Sequence, residues 1–174
     1  MHTETKGVDV AGHRLHQMLV VFPLGLLAGA VIFDIVHLAN HEARWGEISF
    51  WLIAAGVIAA LVAAVFGAID WYGIPRHTQA KKTATVHGVG NVIVVALFVI
   101  SWFVRMNAPQ RANAASYVLD FVGLGIAVFT GWLGGELITR MGVGVHSELD
   151  LDAPPSVRNP RYDHVHDEHA PAIH

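Results

Sequence analysis

His16 to Leu38 reads HQMLVVFPLGLLAGAVIFDIVHL, and this stretch decides the fold. It is as long as the roughly 20 residues needed to cross a hydrocarbon core of about 30 Å, and it holds a single carboxylate, Asp34. Three further runs follow at similar length, over about Ile48–Trp71, Ala84–Val104 and Ala115–Ile138. Backbone groups in lipid must be hydrogen-bonded within their own segment, so each run is expected to be a helix. Pro23 and the many glycines fit, because both residues are common in membrane spans.

The composition agrees with this reading. Of 174 residues, 53% are hydrophobic and only 14% charged, against about 25% charged in a soluble domain. The charges are gathered between the apolar runs, and none of the runs shows the polar face that a helix of a soluble bundle needs. The connections Ala39–Glu47, Tyr72–Thr83 and Arg105–Ala114 are short. Short links make consecutive helices antiparallel neighbours. The expected fold is an all-α integral membrane protein, an up-down-up-down four-helix transmembrane bundle spanning 15–146. An N-terminal segment, 1–14, precedes it and a polar, proline-containing tail, 147–174, follows it. The first run is followed by three more and preceded by an acid-bearing segment, so it does not read as a cleaved signal peptide.

Lys6, Arg14, Arg76, Lys81, Lys82 and Arg140 flank one side of the bundle, while Arg44, Arg105 and Arg111 flank the other. The positive-inside rule then puts both termini and the central loop in the cytoplasm, across a bacterial inner membrane. Trp45, Trp51, Trp71, Tyr72, Trp102 and Tyr117 fall near span ends as interface anchors. Small residues crowd the second and fourth spans, which permits close helix packing and leaves a homodimer face open.

Several classes of chemistry drop out. There is no cysteine, so disulfides, thiolate metal sites, thioether-linked haem and cysteine nucleophiles are excluded. The net charge of −3 gives no footprint for nucleic acid. The glycine pairs Gly88–Gly90, Gly123–Gly125 and Gly142–Gly144 lack the strand–turn–helix setting of a nucleotide site.

The polar residues inside the runs carry the functional signal. In an antiparallel bundle, the starts of spans one and three share a level with the ends of spans two and four. His16, Asp70, His87 and Glu136 therefore fall in one layer, one from each helix. His16 and Asp34 lie on one helical stripe, and His87, Asn91 and Arg105 on another. Each pair of ends is eighteen residues or about 27 Å apart. This sets Asp34 and Arg105 at matching depth near the outer end, as a structural ion pair that registers the helices. Asp120 lies near that level too, free to compete for Arg105 or to face headgroups.

Two chemical species suit the inner layer. One is haem b, with His16 and His87 as axial ligands and Asn91 as a hydrogen-bonding neighbour, in a redox protein exchanging electrons with quinone or a partner subunit. Gly88 and Gly90 would leave room for the macrocycle. The other is a zinc, iron or manganese ion held by His16, Asp70, His87 and Glu136, in an intramembrane metal-dependent enzyme. A third reading has no ligand, and the protein is then a structural or accessory subunit. His164, His166, His169 and His174 in the tail read as ordinary polar residues or as weak chelators. A continuous proton path is not expected, because Val20, Leu27, Val94 and Phe98 interrupt the stripes.

The stretches LHQMLVVFPLGLLAGAVIFD, FWLIAAGVIAALVAAVFGAIDW and GWLGGELITRMGVGV resemble a widespread family of small, mostly bacterial membrane proteins, labelled a predicted membrane domain of unknown function. The resemblance covers roughly His13 to Val145, with HQMLVVFP and GWLGGEL as its more specific signatures. It implies a four-span bundle and a tie to bundle cytochromes that bind haem through histidines. The family signatures fall here on His16, Pro23, Asp34, Asp70, His87, Gly134, Gly135 and Glu136. The resemblance supplies no reaction, and the tail lies outside it.

Overall fold

The computed structural model describes residues 9–10 and 13–145. The expectations for the tail histidines fall outside these residues. A two-residue antiparallel ladder, β1 (Asp9–Val10) with β2 (His13–Arg14), leads into the helices. These are α1 (Leu15–Leu19), α2 (Val21–Asn40), α3 (Ala43–Gly73), α4 (Gln79–Arg105) and α5 (Ala114–Thr139). Counting α1 and α2 as one span, four helices are long and apolar enough to cross a membrane.

The break between α1 and α2 has a local cause. Pro23 has no N–H, so it cannot donate to the carbonyl four residues earlier, on Leu19, where α1 ends. The backbone bonds from Val20 to His16 and from Leu24 to Val20 carry the chain through. His16 therefore sits on a short segment set off from the rest of its span. The helices also run longer than the apolar stretches alone predict. The 31 residues of α3 reach about 46 Å, well past a hydrocarbon core.

The links are correspondingly tight. His41 ends α2 in the left-handed region at φ 58°, a conformation that histidine tolerates better than most residues. Asn40 accepts from the Glu42 N–H at 3.0 Å, which turns the chain straight into α3. Thr78 caps α4 through the Lys81 N–H at 3.1 Å. Asn113 and Ser116 exchange side-chain and backbone bonds at the start of α5, satisfying donors that the helix leaves open.

α2 packs mainly on α3, and α4 mainly on α5. Along the first pair, His16 touches Gly67, Leu27 touches Gly56 and His37 touches Gly46. Along the second, His87 touches Gly134, Gly90 touches Thr130 and Phe98 touches Gly123. Numbers fall on one helix as they rise on the other, so each pair is an antiparallel hairpin. The glycines are required at these crossings. A Cβ at Gly56 would lie 2.6 Å from a Leu27 methyl, and one at Gly123 would lie 2.9 Å from the Phe98 ring.

The distribution of polarity is the reverse of a soluble protein's. The largest fully buried side chains are Arg105, Phe98, Ile53, Thr130, Asp34, Asp120, Ser49, Ser101 and Ser116, of which only two are apolar. Outside, Val21, Phe22, Ile58, Val92, Phe103, Val118, Val128 and Trp132 are all more than half exposed. In water so large an apolar surface would aggregate, whereas lipid solvates it. The apolar core is small, with Leu27, Ala30, Val31, Ile53, Val94 and Phe98 as its buried centre. It separates two polar layers.

Candidate functional site

The inner layer is built around two imidazoles. His16, on α1, hydrogen-bonds through Nδ1 to the Ala63 carbonyl of α3 at 2.9 Å. His87, on α4, bonds through Nδ1 to the Thr130 carbonyl of α5 at 2.8 Å. A carbonyl can only accept, so each Nδ1 donates its proton, and in the neutral ring this leaves the lone pair on Nε2. The rings meet edge to face, with centroids 6.5 Å apart and planes at 86°.

Each imidazole lies against a glycine of the partner helix in its own hairpin. A Cβ at Gly67 would stand 2.8 Å from His16 Cε1, and one at Gly134 would stand 3.1 Å from His87 Cε1. A side chain at either place would push the ring away from the carbonyl that fixes it. Both histidines are half-buried.

Asn91 closes a ring of hydrogen bonds on the α4–α5 side. Its amide nitrogen is 3.0 Å from His87 Nε2, to which it donates. Its amide oxygen accepts from the Thr130 hydroxyl at 2.9 Å. His87 thus has both ring nitrogens engaged, while His16 Nε2 has no hydrogen-bond partner among the described residues.

Asp70 and Glu136 do not complete a four-ligand site. Asp70 faces Arg14 at 3.6 Å, and Glu136 faces Arg140 at 3.4 Å. Among the described residues no three His, Asp or Glu side chains gather closely enough to hold a metal ion. The four residues expected to hold zinc, iron or manganese, His16, Asp70, His87 and Glu136, are thus not gathered into one site among the described residues. Each carboxylate is paired with an arginine instead. The expected room beside Gly90 is also taken, by the Thr130 methyl, whereas Gly88 faces open space.

The outer layer is denser. Arg105 clamps Asp34 with two parallel bonds, Nη1 to Oδ1 at 2.8 Å and Nη2 to Oδ2 at 2.9 Å. Nη1 also donates to Ser49 at 3.1 Å, and Nη2 donates to Asp120 Oδ2. Asp34, Arg105 and Asp120 are each at most 1% exposed. Helices α2, α3, α4 and α5 all contribute to this one knot. Of the two open options for Asp120, the structure has it turned inward to Arg105.

From the sequence, His37 is a candidate only for a second haem on the outer side, because of its angular position. It lies off the His16 stripe, yet it is 93% buried, one turn beyond Asp34, with its ring 6.4 Å from Tyr117. Its Nδ1 has no partner. The missed signal is Gly46, where a Cβ would fall 2.6 Å from that same nitrogen. A glycine near the start of α3 leaves the space that the imidazole fills.

Together these features define a class: a four-span membrane protein with an apolar waist between a histidine layer and a buried Arg–Asp layer. Residues 12–147 match the family described as Predicted membrane protein (DUF2231), and the chain belongs to that family. No curated protein and no solved structure matches it.

Proposed function

We propose that this is a redox-associated membrane protein whose two inner imidazoles, His16 and His87, are the axial ligands of one haem b. The observation that carries the reading is their pairing across the seam between the two hairpins. With a metal–imidazole bond of about 2.0–2.1 Å on each side, two rings sharing one metal stand roughly 6 Å apart between centroids. The present separation of 6.5 Å is close to that. Anchoring of Nδ1–H on a backbone carbonyl is also the usual outer-shell support of a ligating histidine, since it leaves Nε2 as the donor atom.

The donor set fits haem better than it fits a carboxylate-bound ion. Both ligands are imidazoles, and the nearby carboxylates are held by arginines. For His87 to serve, the Asn91 amide must release Nε2, and that amide is then free to hydrogen-bond a propionate. A haem with both axial positions filled supplies one-electron transfer, in exchange with quinone or a membrane partner subunit. The chain's own part is to fix the two tautomers and to set the polarity around them. Burial of Arg105 removes it from the outer loop charge and leaves Arg44 and Arg111 there. This sharpens the positive bias of the histidine end and supports a cytoplasmic location for both termini at an inner membrane.

The closed ring of His87, Asn91 and Thr130 favours a second reading, in which the layer is structural and the chain is a non-catalytic accessory subunit. One experiment divides the two. The full chain is expressed with haem supplementation, purified in detergent and scanned before and after dithionite. The first reading expects Soret and alpha bands that disappear in His16→Ala and His87→Ala. A colourless wild-type protein overturns it and leaves the structural reading.

A further inference from the structure

The outer layer contains two carboxylates and one guanidinium, all of them sealed from solvent. Fully ionised, it would carry one uncompensated negative charge inside the bundle, which is too costly to persist there. Its other close polar groups, the hydroxyls of Ser49 and Ser101, are neutral. Tyr117, with its ring 5.7 Å from the Arg105 guanidinium carbon, adds no cation, and the imidazole of His37 lies beyond it.

The hydrogen bonds say which carboxylate is the odd one. Asp34 accepts from Arg105 on both oxygens, the arrangement of an ionised acceptor. Asp120 accepts on Oδ2 alone, and its Oδ1 is buried with no hydrogen-bond partner among the described residues. An unpaired carboxylate oxygen at zero exposure is the natural seat for a proton, whose presence makes the knot neutral. A metal ion is the other way to supply one positive charge. Among the described residues, however, no three His, Asp or Glu side chains gather to hold one, and a proton needs no such set.

From this geometry we infer that Asp120 is a proton-carrying site within the membrane, holding a neutral carboxylic acid at neutral pH beside the ionised Arg105–Asp34 pair. Intramembrane carboxylates with this placement are typical stations for proton uptake and release. The inference does not depend on haem in the inner layer.

The test is infrared spectroscopy of the full chain in lipid vesicles at neutral pH, in H2O and in D2O. The expected result is a carboxylic acid carbonyl band that moves down in D2O, is lost in Asp120→Asn, and changes frequency in Asp120→Glu but not in Asp34→Glu, both of which keep the charge of the knot. Absence of the band, its persistence in Asp120→Asn, or no shift in D2O each overturns the inference. If Asp120→Asn does not fold, carbon-13 labelling of aspartate is applied to the unaltered chain and to Asp120→Glu. The band must then shift with the label in the unaltered chain and not in Asp120→Glu, and any other pattern overturns the inference. Replacing sodium by choline in the buffer tests the other source of charge. The band is expected to stay unchanged, and a band that sodium abolishes would identify the ligand as the metal ion.

Discussion

The two polar layers of this bundle solve opposite problems. The outer one is charged and sealed, with three ionisable groups at no more than 1% exposure held by four bonds from one guanidinium. The inner one is half-open, with two imidazoles that hang on uncharged backbone carbonyls and rest on glycines. A buried charge network tolerates little rearrangement, because any lost partner leaves an ion in a medium that cannot solvate it. Neutral hydrogen bonds in a membrane are weaker and can be exchanged at small cost. The outer knot is therefore suited to setting helix register, and the inner pair to receiving something.

The most severe way to break this contrast is at Arg105. Arg105→Met leaves two buried carboxylates facing each other, and removing one partner of a buried ion pair costs about 3–5 kcal/mol. Thermal unfolding in detergent should show most of the folded protein lost. The triple variant Arg105→Met, Asp34→Asn, Asp120→Asn should regain much of that loss, since a buried ion network replaced as a whole is often nearly neutral. A single substitution with little effect would mean that the knot does not hold the helices.

Asn91 probes the inner layer at a lower level. Asn91→Leu strips the donor from His87 Nε2 and the acceptor from the Thr130 hydroxyl. The hydroxyl keeps the Ala127 carbonyl at 3.1 Å, so the cost should stay near 1–2 kcal/mol. A loss as large as that of Arg105→Met would erase the distinction between the layers.

Glycines sharpen it further. Gly67→Ala must displace His16, an overpacking that costs about 1–3 kcal/mol, partly offset by the ~1 kcal/mol that alanine gains in a helix. Gly25, with open space around its missing side chain, is the internal control. Gly25→Ala should be slightly stabilising in the same unfolding assay, and Gly67→Ala destabilising. Equal outcomes would show that the histidine does not need its notch.

How much of this could be read beforehand differs between the layers for a physical reason. Length and hydropathy specify four spans without any packing information, because lipid, not a neighbour, decides which residues face outward. Depth follows from residue counts along short-looped helices, which is how His16 meets His87 and Asp34 meets Arg105 without a structure in hand. Azimuth is harder. His37 sits 60° off its stripe by a 3.6-residue period, yet it is buried, because Gly46 vacates the space beside it. Asp120 was ambiguous for the same reason. Asp70 and Glu136 share the right level with the histidines, but level says nothing about which arginine lies nearer. Arg14, in a short ladder outside the apolar run, has no periodicity to announce it.

The smallest predicted effect tests that last point. Glu136 and Arg140 lie one helical turn apart at 3.4 Å, with the arginine side chain 75% exposed. Exposed pairs at this spacing contribute only about 0.3–0.5 kcal/mol. Glu136→Gln keeps the size and shape of the side chain and removes only its charge. It should leave unfolding in detergent within about 0.5 kcal/mol of the parent, and leave any absorption bound to His16 and His87 unchanged. If Glu136 instead reached the imidazoles as a ligand, the same substitution would lower the stability of the histidine layer along with its ligand content. Losing both together would return this carboxylate to the inner layer, and the arginine at position 140 would no longer account for its charge.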